Sequence, residues 1–182
     1  MELGDDDDHV TEADPPGEHF LARVCKAWEA EASAAEALGV RVVRMRLGLV
    51  LGPGGGALAA MLRPFKLGLG GRLGSGQQWL SWIHRDDVVA AFARATVDDA
   101  LAGPVNLVAP ELVRQREFAR ALGRALHRPA FVPAPAFALR AMLGEFAEYL
   151  LHGRPVVPAR LTELGFAFAR PDLRAALEDV DA

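Results

Sequence analysis

The chain has 182 residues, enough for one domain or one and a half, with 51% hydrophobic and 24% charged residues and a net charge of -4. Such a composition is globular, and an acidic balance supplies no excess of cations to neutralise phosphates, so nucleic-acid binding is not expected. A single cysteine, Cys25, excludes an internal disulfide framework and a Cys-based zinc site, and the sequence has neither a membrane-span-length apolar run nor a signal-peptide layout; the expectation is a cytoplasmic protein that does not enter a membrane.

In chain order, the first stretch, MELGDDDDHVTEADPPGE, is acidic and unpatterned and reads as a surface loop or frayed end. Residues 20–38 read as a helix with Phe20, Val24, Ala27, Trp28 and Ala35 on one broad apolar face and Gly39 as its stop. The dense apolar run VRVVRMRLGLVLG predicts a buried strand of a parallel sheet, ending in the GPGGG turn of residues 52–56. ALAAMLRPFKLG predicts a helix broken near Pro64. Trp79 and Ser81 alternate with Leu80 and Trp82, which favours a strand, and RDDVVAAFARATVDD predicts a helix with acidic residues in its first turn. GPVNLVAP is a short buried strand; REFARALGRALHR is a helix; PAFVPAPAFALRAMLGEFAEYLLHG is a proline-led helix; two short helices then flank an extended FAF. This order defines an α/β fold with a helical tail.

Two glycine-rich turns invite a phosphate-loop reading. GLGGRLG, residues 68–74, comes close to G-x-G-x-x-G, but a broken helix precedes it and a strand follows it. No helix N-terminus opens from it to hold a pyrophosphate, so it reads as a flexible loop that touches ligand from the side. GPGGG sits between a strand and a helix, where α/β sheets place ligands, yet its spacing matches neither the dinucleotide loop nor the P-loop.

Taken together, RLGLVLGPGGG, GRLGSGQQWLSWIHRDDVVAAF and GPVNLVAP resemble the C-terminal half of an extended short-chain dehydrogenase/reductase, of the atypical group known as sugar-nucleotide-epimerase-like or NAD-dependent epimerase/dehydratase. The tail, from REFARALGRALHRPAFVPAPAFALR through RLTELGFAFARPDLRAAL, resembles the uncharacterised C-terminal domain of that group. The resemblance implies the C-terminal portion of a Rossmann-like parallel-sheet domain over residues 1–110, and a small helical domain over residues 111–182. It also implies that the family's first Rossmann half, with its glycine-rich turn, is absent.

The family's Tyr-x-x-x-Lys pair belongs on the first helix. Placing that helix by Glu29 puts Leu21 and Cys25 at the two positions; leucine has no proton to give and cysteine is no fixed cation. Lys26 is one step off, and the only tyrosine, Tyr149, lies in the tail. The resemblance places Gly48, Leu49 and Val50 along the nicotinamide pocket with backbone amides facing the cofactor, against the alternative that Gly48 merely permits close strand packing. Arg72 and Gln78 belong to a loop that holds a nucleotide diphosphate in sugar-nucleotide enzymes, and arginine's planar fork suits phosphate.

His84 is the candidate acid/base and a candidate substrate ligand, since the family's corresponding histidine lies near the substrate pocket. Asp86 and Asp87 read as helix caps, and no metal site is expected from them or from Asp5 to Asp8 with His9. Trp28, Trp79 and Trp82 read as core or interface, and Cys25 as a small buried hydrophobe.

The expected function is that of a fragment of an NAD(P)-dependent epimerase or reductase acting on a nucleotide-linked sugar or related small molecule, not competent by itself. NADP or NAD is the expected cofactor, bound weakly or not at all by this chain alone. A homodimer is a further option. The alternative function is a non-catalytic NAD(P)-binding or regulatory protein.

Overall fold

The structure, a computed structural model, describes residues 8–18 and 20–178; the acidic Asp5 to Asp7 lie outside them. Helix α1 (Phe20–Ala34) closes in a 3-10 turn, Ala35–Leu38, and stops at Gly39 in the left-handed region at φ 76°. Its apolar face is not the core face expected. No residue of α1 is buried, Phe20 and Trp28 are 53% and 71% exposed, and Cys25 is exposed rather than buried.

The apolar run after Gly39 forms two strands rather than one. β1 (Val43–Leu47) pairs in parallel with β5 (Gly103–Leu107), and β2 (Leu49–Leu51) pairs in parallel with β4 (Trp82–His84). The change of partner falls at Gly48, whose N–H donates to the Leu107 carbonyl at 3.1 Å while the Leu49 N–H donates to Ser81 at 2.8 Å. A Cβ on Gly48 would stand 2.8 Å from the Ser81 carbonyl oxygen, so glycine is what lets the two backbones approach. A short antiparallel pair, β3 (Trp79–Leu80) with β6 (Val113–Arg114), lies beyond.

Helix α2 (Gly56–Lys66) runs through Pro64 instead of breaking there. Proline removes one helical hydrogen bond, but Phe65, 5% exposed, anchors the final turn in the core. Helices α3 (Arg85–Val97) and α4 (Gln115–Ala125) stand where the sequence places them. The proline-led helix is two helices, α5 (Ala136–Leu143) and α6 (Phe146–Leu151), parted at Gly144 with φ 56°. Two short helices, α7 (Ala159–Glu163) and α8 (Leu173–Ala176), flank an extended segment in which the Phe166 and Phe168 rings meet edge-on at 4.9 Å.

Strand alternation sorts the core into two clusters. Leu49, Leu51 and Trp82 pack with Leu58, Phe118, Leu122 and Leu173 on one side. Val50 and Ile83 pack with Ala91, Val105, Leu107 and Leu161 on the other. The first cluster draws on residues from both sides of position 110.

The glycine-rich segment 68–74 is not a flexible loop. Leu73 bridges Ala134 in parallel, the Gly74 N–H donates to Ala134, the Ala134 N–H donates to Arg72, and the Val132 N–H donates to Gly70. A Cβ on Gly71 would overlap the Val132 carbonyl, so this glycine serves chain-to-chain approach rather than a phosphate. Among the described residues no helix is long and apolar enough to cross a membrane.

Candidate functional site

The strongest concentration of unspent polar chemistry lies in residues 78–84. Among the described residues, five buried side-chain nitrogen or oxygen atoms have no hydrogen-bond partner: Gln78 Oε1, Trp79 Nε1, Trp82 Nε1, His84 Nε2 and, elsewhere, Arg44 Nε. Such an atom costs about 1–3 kcal/mol in lost hydration, and buried polar groups are otherwise almost always paired. Four of the five fall in one seven-residue stretch.

His84 ends β4 and caps α3. It is 1% exposed, and its Nδ1 accepts the Asp86 N–H at 3.2 Å. The Asp86 carboxylate, at 3.6 Å from Nδ1, lies beyond hydrogen-bond range. A ring nitrogen that accepts leaves the proton on the other, so Nε2–H is an unpaired donor. The aspartates are therefore not the caps expected of them. Asp86 is largely exposed, while Asp87, 1% exposed, accepts the N–H groups of Ala169 at 2.6 Å and Arg170 at 3.1 Å. A carboxylate on α3 thus holds the extended segment before α8.

Gln78 has a structural task that its sequence context does not reveal. Its Nε2 donates to the carbonyls of Leu73 at 3.2 Å and Leu150 at 2.9 Å, tying the glycine-rich segment to α6. Its backbone carbonyl accepts the Gln115 backbone N–H, and Gln115 Oε1 accepts the Leu73 N–H. Only Oε1 of Gln78 is left for a ligand. Arg72 is exposed and donates to Ser75 of its own loop at 3.0 Å. At the expected nicotinamide wall, the amides of Gly48 and Leu49 are already spent on Leu107 and Ser81, so they are not the cofactor-facing donors expected; Val50 lies opposite Ile83 in the β2–β4 pair.

The guanidinium of Arg114 lies 3.7 Å from the centre of the Trp79 ring and donates to the Gln77 carbonyl. Nothing in the sequence signals this contact, because 35 positions part the two residues and only the β3–β6 pairing joins them.

On α1, Leu21 is half-buried and Cys25 exposed, while Glu29 receives a two-pronged bond from Arg46. That bond holds the Glu29 carboxyl below its ordinary range and pushes Arg46 up, with burial opposing both. Tyr149 is half exposed against Phe146. No group of three or more His, Cys, Asp or Glu side chains that could hold a metal is gathered among the described residues.

The chain belongs to the NAD dependent epimerase/dehydratase family, whose model matches residues 3–107. Residues 134–180 match a domain of unknown function, DUF1731. The expectation that a first Rossmann half is absent is not supported by these matches. The chain is 46% identical over 169 residues to the chloroplastic Epimerase family protein SDR39U1 homolog of Arabidopsis thaliana, covering 93% of this chain and 48% of that protein. To Epimerase family protein SDR39U1 of Mus musculus it is 45% identical over 172 residues, covering 93% and 58%. It thus spans about half the length of the curated relatives it matches.

Among solved structures, human epimerase family protein SDR39U1 with NADPH superposes with a TM-score of 0.88 at 38% identity, over 95% of this chain and 59% of that one. A nucleoside-diphosphate sugar epimerase from Corynebacterium glutamicum superposes at 0.76 with 32% identity, over 96% and 33%.

Proposed function

We propose that this chain forms the substrate-side wall and part of the nicotinamide pocket of an NAD(P)-dependent epimerase- or reductase-like protein acting on a nucleotide-linked sugar or related small molecule, and that it is not competent by itself. The observation that carries this reading is the set of unpartnered buried atoms on Gln78, Trp79, Trp82 and His84. Three are N–H donors suited to sugar hydroxyl or carbonyl oxygens, and Gln78 Oε1 is an acceptor suited to a hydroxyl hydrogen. The relatives support the cofactor class, since the human one was solved with NADPH.

Bound nicotinamide would supply hydride chemistry. Gly48, Leu49 and Val50 would line it through carbonyls and chain edges, because two of their three amides are already engaged. Arg72 is exposed and offers a fork for a diphosphate once it leaves Ser75. Phe20 and Trp28, exposed on α1, support packing against a second copy.

The test follows the indole N–H resonances of Trp79 and Trp82 by NMR as uridine diphosphate glucose is added, with exposed Trp28 as the internal control. Saturable shifts at Trp79 and Trp82 are expected, and no shift at either overturns the substrate-side assignment. NADPH titrated into this chain alone is expected to bind weakly; a low-micromolar dissociation constant contradicts the claim of incompetence.

A second reading rests on Leu21 and Cys25, which occupy the positions of the family's proton-transferring pair without being able to serve as one. It makes the protein a non-catalytic NAD(P)-binding or regulatory protein. Turnover that falls in His84→Ala favours the enzyme, whereas cofactor binding with no turnover of any candidate substrate favours the second reading.

A further inference from the structure

At the C-terminal end of α4 lies an open cavity of about 430 Å³ whose polar lining comes from Arg120, Arg124, His127 and Arg128, with Phe131 at its edge. It shares no residue with the 78–84 segment. No carboxylate lines it, and among the described residues none of the three arginines makes an ion pair or a side-chain hydrogen bond.

The chain accepts several costs to build this arrangement. Arg120 and Arg124 are four residues apart on one helix, where like charges repel. The helix then ends in a Schellman turn: the Arg128 N–H donates to Gly123 at 2.9 Å and the His127 N–H donates to Arg124 at 3.1 Å. That turn puts His127 at φ 52°, the one non-glycine residue with positive φ among those described, where glycine would be the unstrained choice. A Cβ on Gly123 would meet Ala130 at 2.6 Å and the Arg128 carbonyl oxygen at 2.9 Å. Glycine there lets the 128–130 segment fold tightly back on the helix and bring Phe131, 78% exposed, beside the arginines.

Helix stability does not explain the cluster. The turn's own amides already satisfy the last carbonyls, so no arginine is needed as a cap. The helix dipole favours a cation in the last turn, which covers Arg124, but its effect fades before Arg120. Three unpaired guanidiniums and an imidazole around a concavity with an apolar ring are what a phosphate-bearing ligand requires. The volume falls in the range of roughly 300–1,000 Å³ usual for small-molecule sites. A single such cluster on a chain of net charge -4 is too local for a nucleic-acid backbone.

We propose that this cavity is a binding site for a soluble phosphorylated small molecule, with the phosphate held by Arg120, Arg124 and Arg128 and a flat or apolar body against Phe131. The test titrates inorganic phosphate, pyrophosphate and phenyl phosphate into the 182-residue chain at constant ionic strength, reading backbone amide shifts of residues 120–131. Saturable shifts confined to that segment are expected, with phenyl phosphate binding several-fold more tightly than inorganic phosphate and Phe131→Ala removing the difference. Arg120→Gln with Arg124→Gln keeps good helix formers at exposed positions and removes a like-charge pair; it is expected to weaken binding at least about tenfold without lowering the melting temperature. Shifts that do not saturate, or that persist in the double variant, overturn the proposal. So does cosedimentation with phosphatidic acid vesicles in the absence of any response to the soluble anions, which would assign the cluster to a lipid surface.

Discussion

Arg46 grips Glu29 from both sides: Nε to Oε1 and Nη2 to Oε2 are each 2.7 Å. Arg44 reaches the same helix through Glu36 at 2.8 Å and through Ser33. No residue of α1 is fully buried, and these charges join it to β1 beside its half-buried Leu21 and Val24. The Arg46 bond depresses the Glu29 carboxyl below its ordinary value of 4.5. A carboxylate with a depressed folded value stabilises fully above its unfolded value, and that contribution disappears as pH falls through the folded one. Stability is therefore expected to decline from about pH 4.5 downward. Glu29→Gln is expected to cost about 1 kcal/mol at neutral pH and to flatten that acid limb. Urea unfolding at several pH values checks both; superimposable acid limbs would remove Glu29 from the account.

Asp87→Ala is expected to be among the most damaging single changes, at about 2–4 kcal/mol, because it strands two backbone N–H groups at Ala169 and Arg170. Asp87→Asn keeps one acceptor oxygen and should fall between. Equal stability of the alanine variant and the parent in chemical denaturation would show that the carboxylate does not hold this segment.

Gly71→Ala forces a methyl group into the Val132 carbonyl and is expected to cost roughly 1–3 kcal/mol through backbone displacement. Gly68→Ala meets nothing within 4 Å, and only its φ of 74° opposes the change, so about 1 kcal/mol is expected. Thermal melts of the two variants measure the difference; a milder Gly71→Ala would mean that the pairing with residues 132–134 is loose.

Gln78→Leu fills the same space but withdraws the donor shared by Leu73 and Leu150. A loss of about 1–3 kcal/mol is expected, with hydrogen exchange quickening at α6 before β4. Uniform exchange across the chain would show that Gln78 does not act as a tie.

Much of the fold was legible because it depends on local pattern. Periodicity placed α3 and α4, composition placed β5, and Gly39 marked the end of the first helix. The divided strand at Gly48 was not legible, since nothing local says that residues 43–47 and 49–51 take different partners. His84 was singled out on the motif around it, yet which of its nitrogens is spent on Asp86 depends on how β4 turns into α3. Asp87 looked like a cap because caps are local, whereas its partners stand 82 and 83 positions away.

By itself, then, the sequence determined an α/β chain and its family, because periodicity, composition and motif residues are local properties. Only the tertiary structure decided that Gln78 ties two distant carbonyls, that the amides of Gly48 and Leu49 are spent within the sheet, that Arg46 pairs with Glu29 across α1 and β1, and that four atoms of residues 78–84 are left without partners. Each of those depends on which buried polar groups meet, and that is settled by contacts between residues far apart in the chain.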